Sequence, residues 1–201
     1  MNSSEAKNSL RSRITRRMLW EALFSLLEEK YFSQITIQDI CARAEVNRST
    51  FYHHFESKYD LLNYGISTVI PKQAGLDKRL PAEGESWSEQ GPHTALFAYV
   101  KTHQRFWNNL LVKEGFSEEV LTGMLEGTKS FLEEIYTNTD DDETASEIAA
   151  QMYIGAVGNL TIWWLRQGCE MPIQQLNSYV DAMWRYPKKT SLKSRKSPEK
   201  A

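Results

Sequence analysis

The sequence predicts an all-α protein: an N-terminal three-helix module of the helix-turn-helix kind, joined to a larger C-terminal helical domain. Three observations carry this. Apolar residues recur at helical spacing through most of the chain, and no window alternates apolar and polar residues as a half-buried strand would. The run TIQDICARAEVNRSTFYHHFESK, Thr36 to Lys58, reads as two short helices about a tight turn. A stretch rich in Gly, Pro and charge, PKQAGLDKRLPAEGESWSEQGP, then separates that module from a second set of helical patterns. With 201 residues the chain is long enough to bury a real core and to hold a small module beside a larger one.

In chain order, residues 1–14 read as a basic arm, and residues 15–70 as the module with its connecting helix. Thr15 to Lys30 is an amphipathic helix whose apolar side is Ile14, Met18, Ala22, Leu23, Leu26 and Leu27. Thr36 then caps a short helix, with Asp39 three residues on and Ile37, Ile40, Cys41 and Ala44 inward. Glu45-Val46-Asn47 makes the turn, and Asn47 caps a helix from Arg48 to about Phe55. Ser57 starts the next helix, which carries Leu61, Leu62, Ile66 and Val69 until Pro71 stops it. Residues 71–92 are the linker. A regulatory domain follows over 93–185, with helices near 93–113, 117–138, 142–168 and 172–185, and residues 186–201 read as a disordered basic tail.

The helix beginning at Arg48 divides its faces sharply. Phe51 and Phe55, four apart, fall on the packing side. Ser49, Tyr52 and His53 fall on the other, with Arg48 and Thr50 at the N-terminal turn. Short donors and flat rings on one face suit a groove about as wide as a helix. The segment VNRSTFYHHFESKYDLL also resembles the one by which TetR-type repressors are known, through Val46, Asn47, Ser49, Thr50, Phe51, Tyr52, Phe55, Lys58, Leu61 and Leu62. The likeness covers roughly Thr15 to Leu62. It departs at Glu45, where this family usually has Gly, and Glu in a turn of positive φ carries a modest strain. The resemblance implies DNA contacts by Thr36, Arg48, Ser49, Thr50, Tyr52, His53 and Lys58. It implies a homodimer on an inverted-repeat operator in double-stranded DNA.

Charge agrees with that reading. The formal net charge is −2, yet residues 7–17 hold Lys7, Arg11, Arg13, Arg16 and Arg17 with no acid, while residues 63–184 are strongly acidic. One basic end on an acidic body favours contact with phosphates at that end. Enzyme chemistry finds no support: the chain has no Gly-rich phosphate loop, no GxSxG, and no His pair at i, i+4. Neither the spacing of Cys41 and Cys169 nor the Asp140–Glu143 run matches a metal site, so no metal or cofactor is expected. Both cysteines read as reduced, buried thiols in a cytoplasmic protein. No window is long and apolar enough to span a membrane, and no secretion signal is visible at the N-terminus.

The C-terminal domain is aromatic-rich. By resemblance it dimerises and takes a small-molecule inducer whose identity the sequence does not give. Phe97, Phe106, Trp107, Phe131, Tyr153 and Trp163 are the expected pocket lining; as ordinary aromatics they would be core. One side of the 142–168 helix carries Ile148, Met152, Gly155, Ala156, Asn159 and Trp163. By resemblance, that helix and the one near 172–185 pack against a second subunit. The expected activity is a dimeric repressor released by its inducer. The alternative is an adaptor of the same fold that binds and activates another protein without acting through DNA.

Overall fold

The structure, a computed structural model, describes residues 3–75, 92–112, 117–118, 120–126 and 143–183. Among these residues all regular structure is helical. The N-terminal part comprises α1 (Ser3–Leu27), α2 (Ile37–Arg43), α3 (Arg48–His54), α4 (Lys58–Tyr64) and α5 (Ile70–Ala74). The second part comprises α6 (Pro92–Thr102), α7 (Gln104–Trp107), α8 (120–126), α9 (Glu143–Arg166) and α10 (Ile173–Met183). Of the linker expected over 71–92, residues 71–74 belong to α5 and Pro92 begins α6, while 76–91, Phe131, the helix start at Asp142 and the tail over 186–201 lie outside the described residues.

Three expectations change. First, α1 begins at Ser3, so most of the expected arm is helix. Its buried side is Leu19, Trp20, Ala22, Leu23, Leu26 and Leu27, while Ile14 and Met18 are exposed. The reason is length: at about 1.5 Å per residue a 25-residue helix far outruns the seven-residue α2 and α3. Second, Pro71 does not end the connecting helix. The chain runs from α4 through a π turn, Gly65–Val69, into α5 and stops at Gly75 in the left-handed region, φ 71°. The Ile70 N–H bonds back to Gly65 O, five residues earlier. That wider turn relieves the clash and missing donor that proline brings to a regular helix. Third, the expected 93–113 helix breaks at His103, φ −114° and ψ 43°, between α6 and α7. A second π turn, Asn108–Val112, follows α7.

The two parts share one hydrophobic core. On α1, Trp20 meets Phe106 edge-on at 6.1 Å, and Phe24 stacks on Phe106 at 4.4 Å between centroids. Asn109 Nδ2 donates to Leu27 O at 2.8 Å, supplying one of the carbonyls that a helix end leaves open. Gly65 lies against the Trp20 ring so closely that a Cβ there would sit inside it. Glycine is required at this position by approach rather than by backbone angle. The N-terminal part is therefore fastened to the second part through α1.

Candidate nucleic-acid interface

α2 is set by a reciprocal cap. Thr36 Oγ1 accepts from Asp39 N at 3.1 Å, and Thr36 N donates to Asp39 Oδ2 at 2.9 Å. Lys30 Nζ reaches the same carboxylate at 2.9 Å. The Thr36 backbone bond, with Lys30 next, holds the Asp39 carboxyl down to a pKa of about 2. The helix ends in a left-handed cap: Val46 N bonds to Cys41 O at 3.0 Å and Glu45 N to Ala42 O at 3.3 Å. Glu45 takes the left-handed position itself, φ 55°. The turn that usually carries Gly is thus made by Glu, as the resemblance led us to expect, with strain on the order of 1 kcal/mol.

α3 starts from Asn47, whose carbonyl accepts from Phe51 N at 3.1 Å. The expected side-chain cap is not made: Asn47 forms no cap hydrogen bond through its side chain. Phe51 and Phe55 are fully buried with ring centroids 6.0 Å apart. Arg48, Ser49, Tyr52 and His53 are exposed, and Thr50 is half-buried. Tyr52 has 51% of its surface open while its ring edge rests on Phe51 at 5.6 Å, so the phenol is both presented and braced. His54 is held below the usual imidazole pKa by burial first, then by His53 and Arg16.

The basic residues divide by what they already touch. Arg16 lies over the rings of Phe55 and Tyr64, at 5.2 and 5.3 Å, and donates to His54 O at 3.4 Å. Arg17 pairs with Glu21 at 2.7 Å. Arg11 and Arg13 are exposed on the overhanging part of α1. Lys58 Nζ donates to Phe32 O and Ile35 O, both at 2.9 Å, and sits 4.5 Å from the Phe32 ring. Its ammonium is therefore engaged in tying α4 to the segment before α2, which the sequence pattern did not reveal.

Comparison with known proteins settles the family. Residues 19–64 match the model of bacterial regulatory proteins, tetR family, and residues 90–185 match that of a transcriptional regulator C-terminal region. The chain belongs to the TetR family. It is similar to the HTH-type dhaKLM operon transcriptional activator DhaS of Lactococcus lactis, at 32% identity over 57 residues. That match covers 28% of this chain and 30% of the relative's length. Among solved structures it is similar to a TetR transcriptional regulator from Streptococcus agalactiae, at 24% identity and TM-score 0.58, covering 89% of this chain and 98% of that one. It also resembles the dihydroxyacetone kinase operon activator DhaS, at 17% identity and TM-score 0.54, covering 85% and 93%. At these identities the structural likenesses show the fold. TetR regulators bind DNA and form dimers; they are not enzymes.

Of the six aromatics expected to line an inducer pocket in this TetR chain, five lie among the described residues. Phe97 and Phe106 are fully buried, and Trp107 and Tyr153 nearly so. Phe97 meets Trp164 edge-on at 5.6 Å and Phe106 meets Trp107 at 5.0 Å, which is core packing. Trp163 lies on the outside, 44% exposed. A cavity of about 510 Å³ is lined by Trp20, Glu21, Phe24, Gln73, Tyr99, Thr102 and His103, none of them among the six. Sequence reasoning missed it because it is assembled from α1, α5 and α6, which no local pattern joins. The outer side of α9 is open from Ile148 to Trp163: Ile148, Met152 (64% exposed), Gly155, Ala156, Asn159 and Trp163, with Tyr179 of α10 also exposed. Cys41 and Cys169 are both free and buried, and burial raises both thiol pKa values. Among the described residues no helix is long and apolar enough to cross a membrane, and no cluster of metal-binding side chains occurs.

Proposed function

We propose that the protein is a cytoplasmic, sequence-specific transcriptional regulator that binds an inverted-repeat operator as a homodimer and represses until a small-molecule inducer releases it. The observation that carries this reading is the outer face of α3. Arg48, Ser49, Tyr52 and His53 are exposed together, while Phe51 and Phe55 anchor the helix from behind. In this reading those four face the major groove, with Arg48 placed for a guanine through its two-pronged donor geometry. Thr36 and Thr50 meet phosphates, and Tyr52 does so through its hydroxyl. Lys58 contributes a phosphate contact only by easing its hold on two carbonyls, so it is the weakest of the seven. Arg11 and Arg13 add to the phosphate contacts from α1.

Dimerisation uses the open sides of α9 and α10, where large apolar residues otherwise face water. Two recognition helices in such a dimer meet successive major grooves about 34 Å apart. Release follows when a ligand binds better to the form with a wider separation, because only differential affinity shifts the population. A second reading, operon activation, is favoured by the likeness to the DhaS operon activators. It changes the sign of control and not the interface.

Selection of the purified protein on short genomic DNA fragments, at moderate and then higher salt, tests the reading. An enriched inverted repeat that survives the higher salt is the expected result. Binding with no motif that disappears with salt is counterion release alone and would move the assignment to a protein-binding adaptor. The exposed acids flanking α3, Glu45 and Glu56, are the feature such an adaptor would use.

A further inference from the structure

The cavity between α1, α5 and α6 sits where the two parts of the protein are fastened together, and its walls have a definite chemistry. Phe24, Tyr99 and His103 form an aromatic corner: His103 stands edge-on to Phe24 at 5.1 Å and tilted to Tyr99 at 4.5 Å between centroids. Trp20 also lines the space, edge-on to Phe24 at 6.0 Å. Glu21 is the acid on the wall, and no Lys or Arg lines the space. Tyr99 donates to Gln73 Oε1 at 2.9 Å, which leaves the Gln73 amide NH₂ as a donor on that wall. Just behind, Glu28 Oε1 stands 3.9 Å from His103 Nδ1. About 510 Å³ lies within the range of small-molecule sites.

We propose that this junction is an effector site for a small arylalkylamine, its ring held by Phe24, Tyr99 and His103 and its ammonium by Glu21. Ring faces carry negative charge density and attract cations, and the carboxylate adds to this. An anionic ligand is disfavoured by the same walls. Burial first, and Glu28 second, push the Tyr99 phenol up to about 12, so the ring on this wall stays neutral. Arg17 pairs with Glu21 and competes for it, so the selectivity for charge is moderate.

The position gives the site its regulatory consequence. A molecule wedged here contacts α1 on one side and α5 and α6 on the other, across the same junction that Asn109 and Phe106 clamp. It therefore biases how the DNA-binding module sits on the second domain. This regulatory half rests on the reading of α3 given above, whereas the binding half does not.

The test titrates the full-length protein with three probes of one shape: phenethylamine, 2-phenylethanol and phenylacetate, followed by saturation-transfer NMR. We expect the amine to bind roughly tenfold more tightly than the alcohol, with phenylacetate weakest. Glu21→Gln should bring amine and alcohol together, and Thr102→Phe, at an exposed wall position, should abolish all three. The unfolding midpoint of each variant checks that it folds. Equal binding of the three probes, or binding that survives Thr102→Phe, overturns the site. If the amine binds there and a selected operator's affinity stays the same, the regulatory half is wrong while the operator reading stands. If no operator is ever selected but the amine pattern appears, the binding half is supported and the DNA reading falls.

Discussion

Two faces of this molecule are open to the same degree and differ in everything else. The outside of α3 offers Arg48, Ser49, Tyr52 and His53. The outside of α9 and α10 offers Ile148, Met152, Trp163 and Tyr179. Tyr52 and Tyr179 are 51% and 54% exposed, so exposure alone does not tell the faces apart. The chemistry does. The first face is rich in donors and backed by two buried rings, as a surface that meets a polar groove must be. The second is apolar with small residues between, as suits the homodimer seam proposed above. The regulator proposed above needs both, since a recognition helix reads a two-fold operator only when a second copy holds its partner at the right distance.

The comparison breaks most completely if the shared scaffold is lost. Phe51→Ala should destabilise the module by about 3–5 kcal/mol, read from denaturant unfolding, because it empties the space behind α3. Gly65→Leu should be as damaging, since its side chain would enter the Trp20 ring. Met152→Glu strikes the second face only. It should give a folded monomer by sedimentation, with operator affinity lower by about two orders of magnitude or more, because the two half-sites no longer act together. Arg48→Ala strikes the first face only. It should leave the dimer intact and cost about 1–3 kcal/mol of operator binding, relaxed at one base position in each half-site. A dimer lost in the Arg48 variant, or kept in the Met152 variant, would undo the division.

Smaller effects sharpen the account of α2. Glu45→Gly should raise stability by up to about 0.5 kcal/mol, the left-handed strain less the greater freedom of Gly in the unfolded chain. A drop in stability would mean that Glu45 makes a contact of its own. Asp39 is held at a pKa of about 2, against an ordinary 3.8. Its contribution is therefore full above pH 4 and is lost as pH falls from about 4 to about 2. The difference in unfolding midpoint between the protein and Asp39→Asn should shrink over that window. A constant difference would place the role of Asp39 elsewhere.

The module was legible because its signals are local. Thr36 and Asp39 cap within four residues, Phe51 and Phe55 share a stripe, and the turn at Glu45 stands out against the family's Gly. The failures are places where a distant partner decides. Helical spacing assigned Ile14 and Met18 to the core, yet the core ends before them, and Trp20 is buried because Gly65 makes room for it. Pro71 signals a stop, but a π turn carries the helix past it. Lys58 reads as a free cation and is engaged by the carbonyls of Phe32 and Ile35, more than twenty residues away. The aromatics of the second domain were recognisable only as a set. Phe97 and Phe106 belong to the packing, and the cavity is built from α1, whose pattern gives no hint of a ligand. The stripe of α9, by contrast, follows a simple spacing, and its role against a second subunit came only from the family resemblance.

The most direct test joins the two faces in one experiment: the mass of the protein–DNA complex at saturation, with guanine N7-methylation interference on the same selected duplex. The account predicts two copies per duplex and interference in two successive major grooves, about 34 Å apart about the dyad. One copy per duplex, or interference confined to one groove, would contradict it.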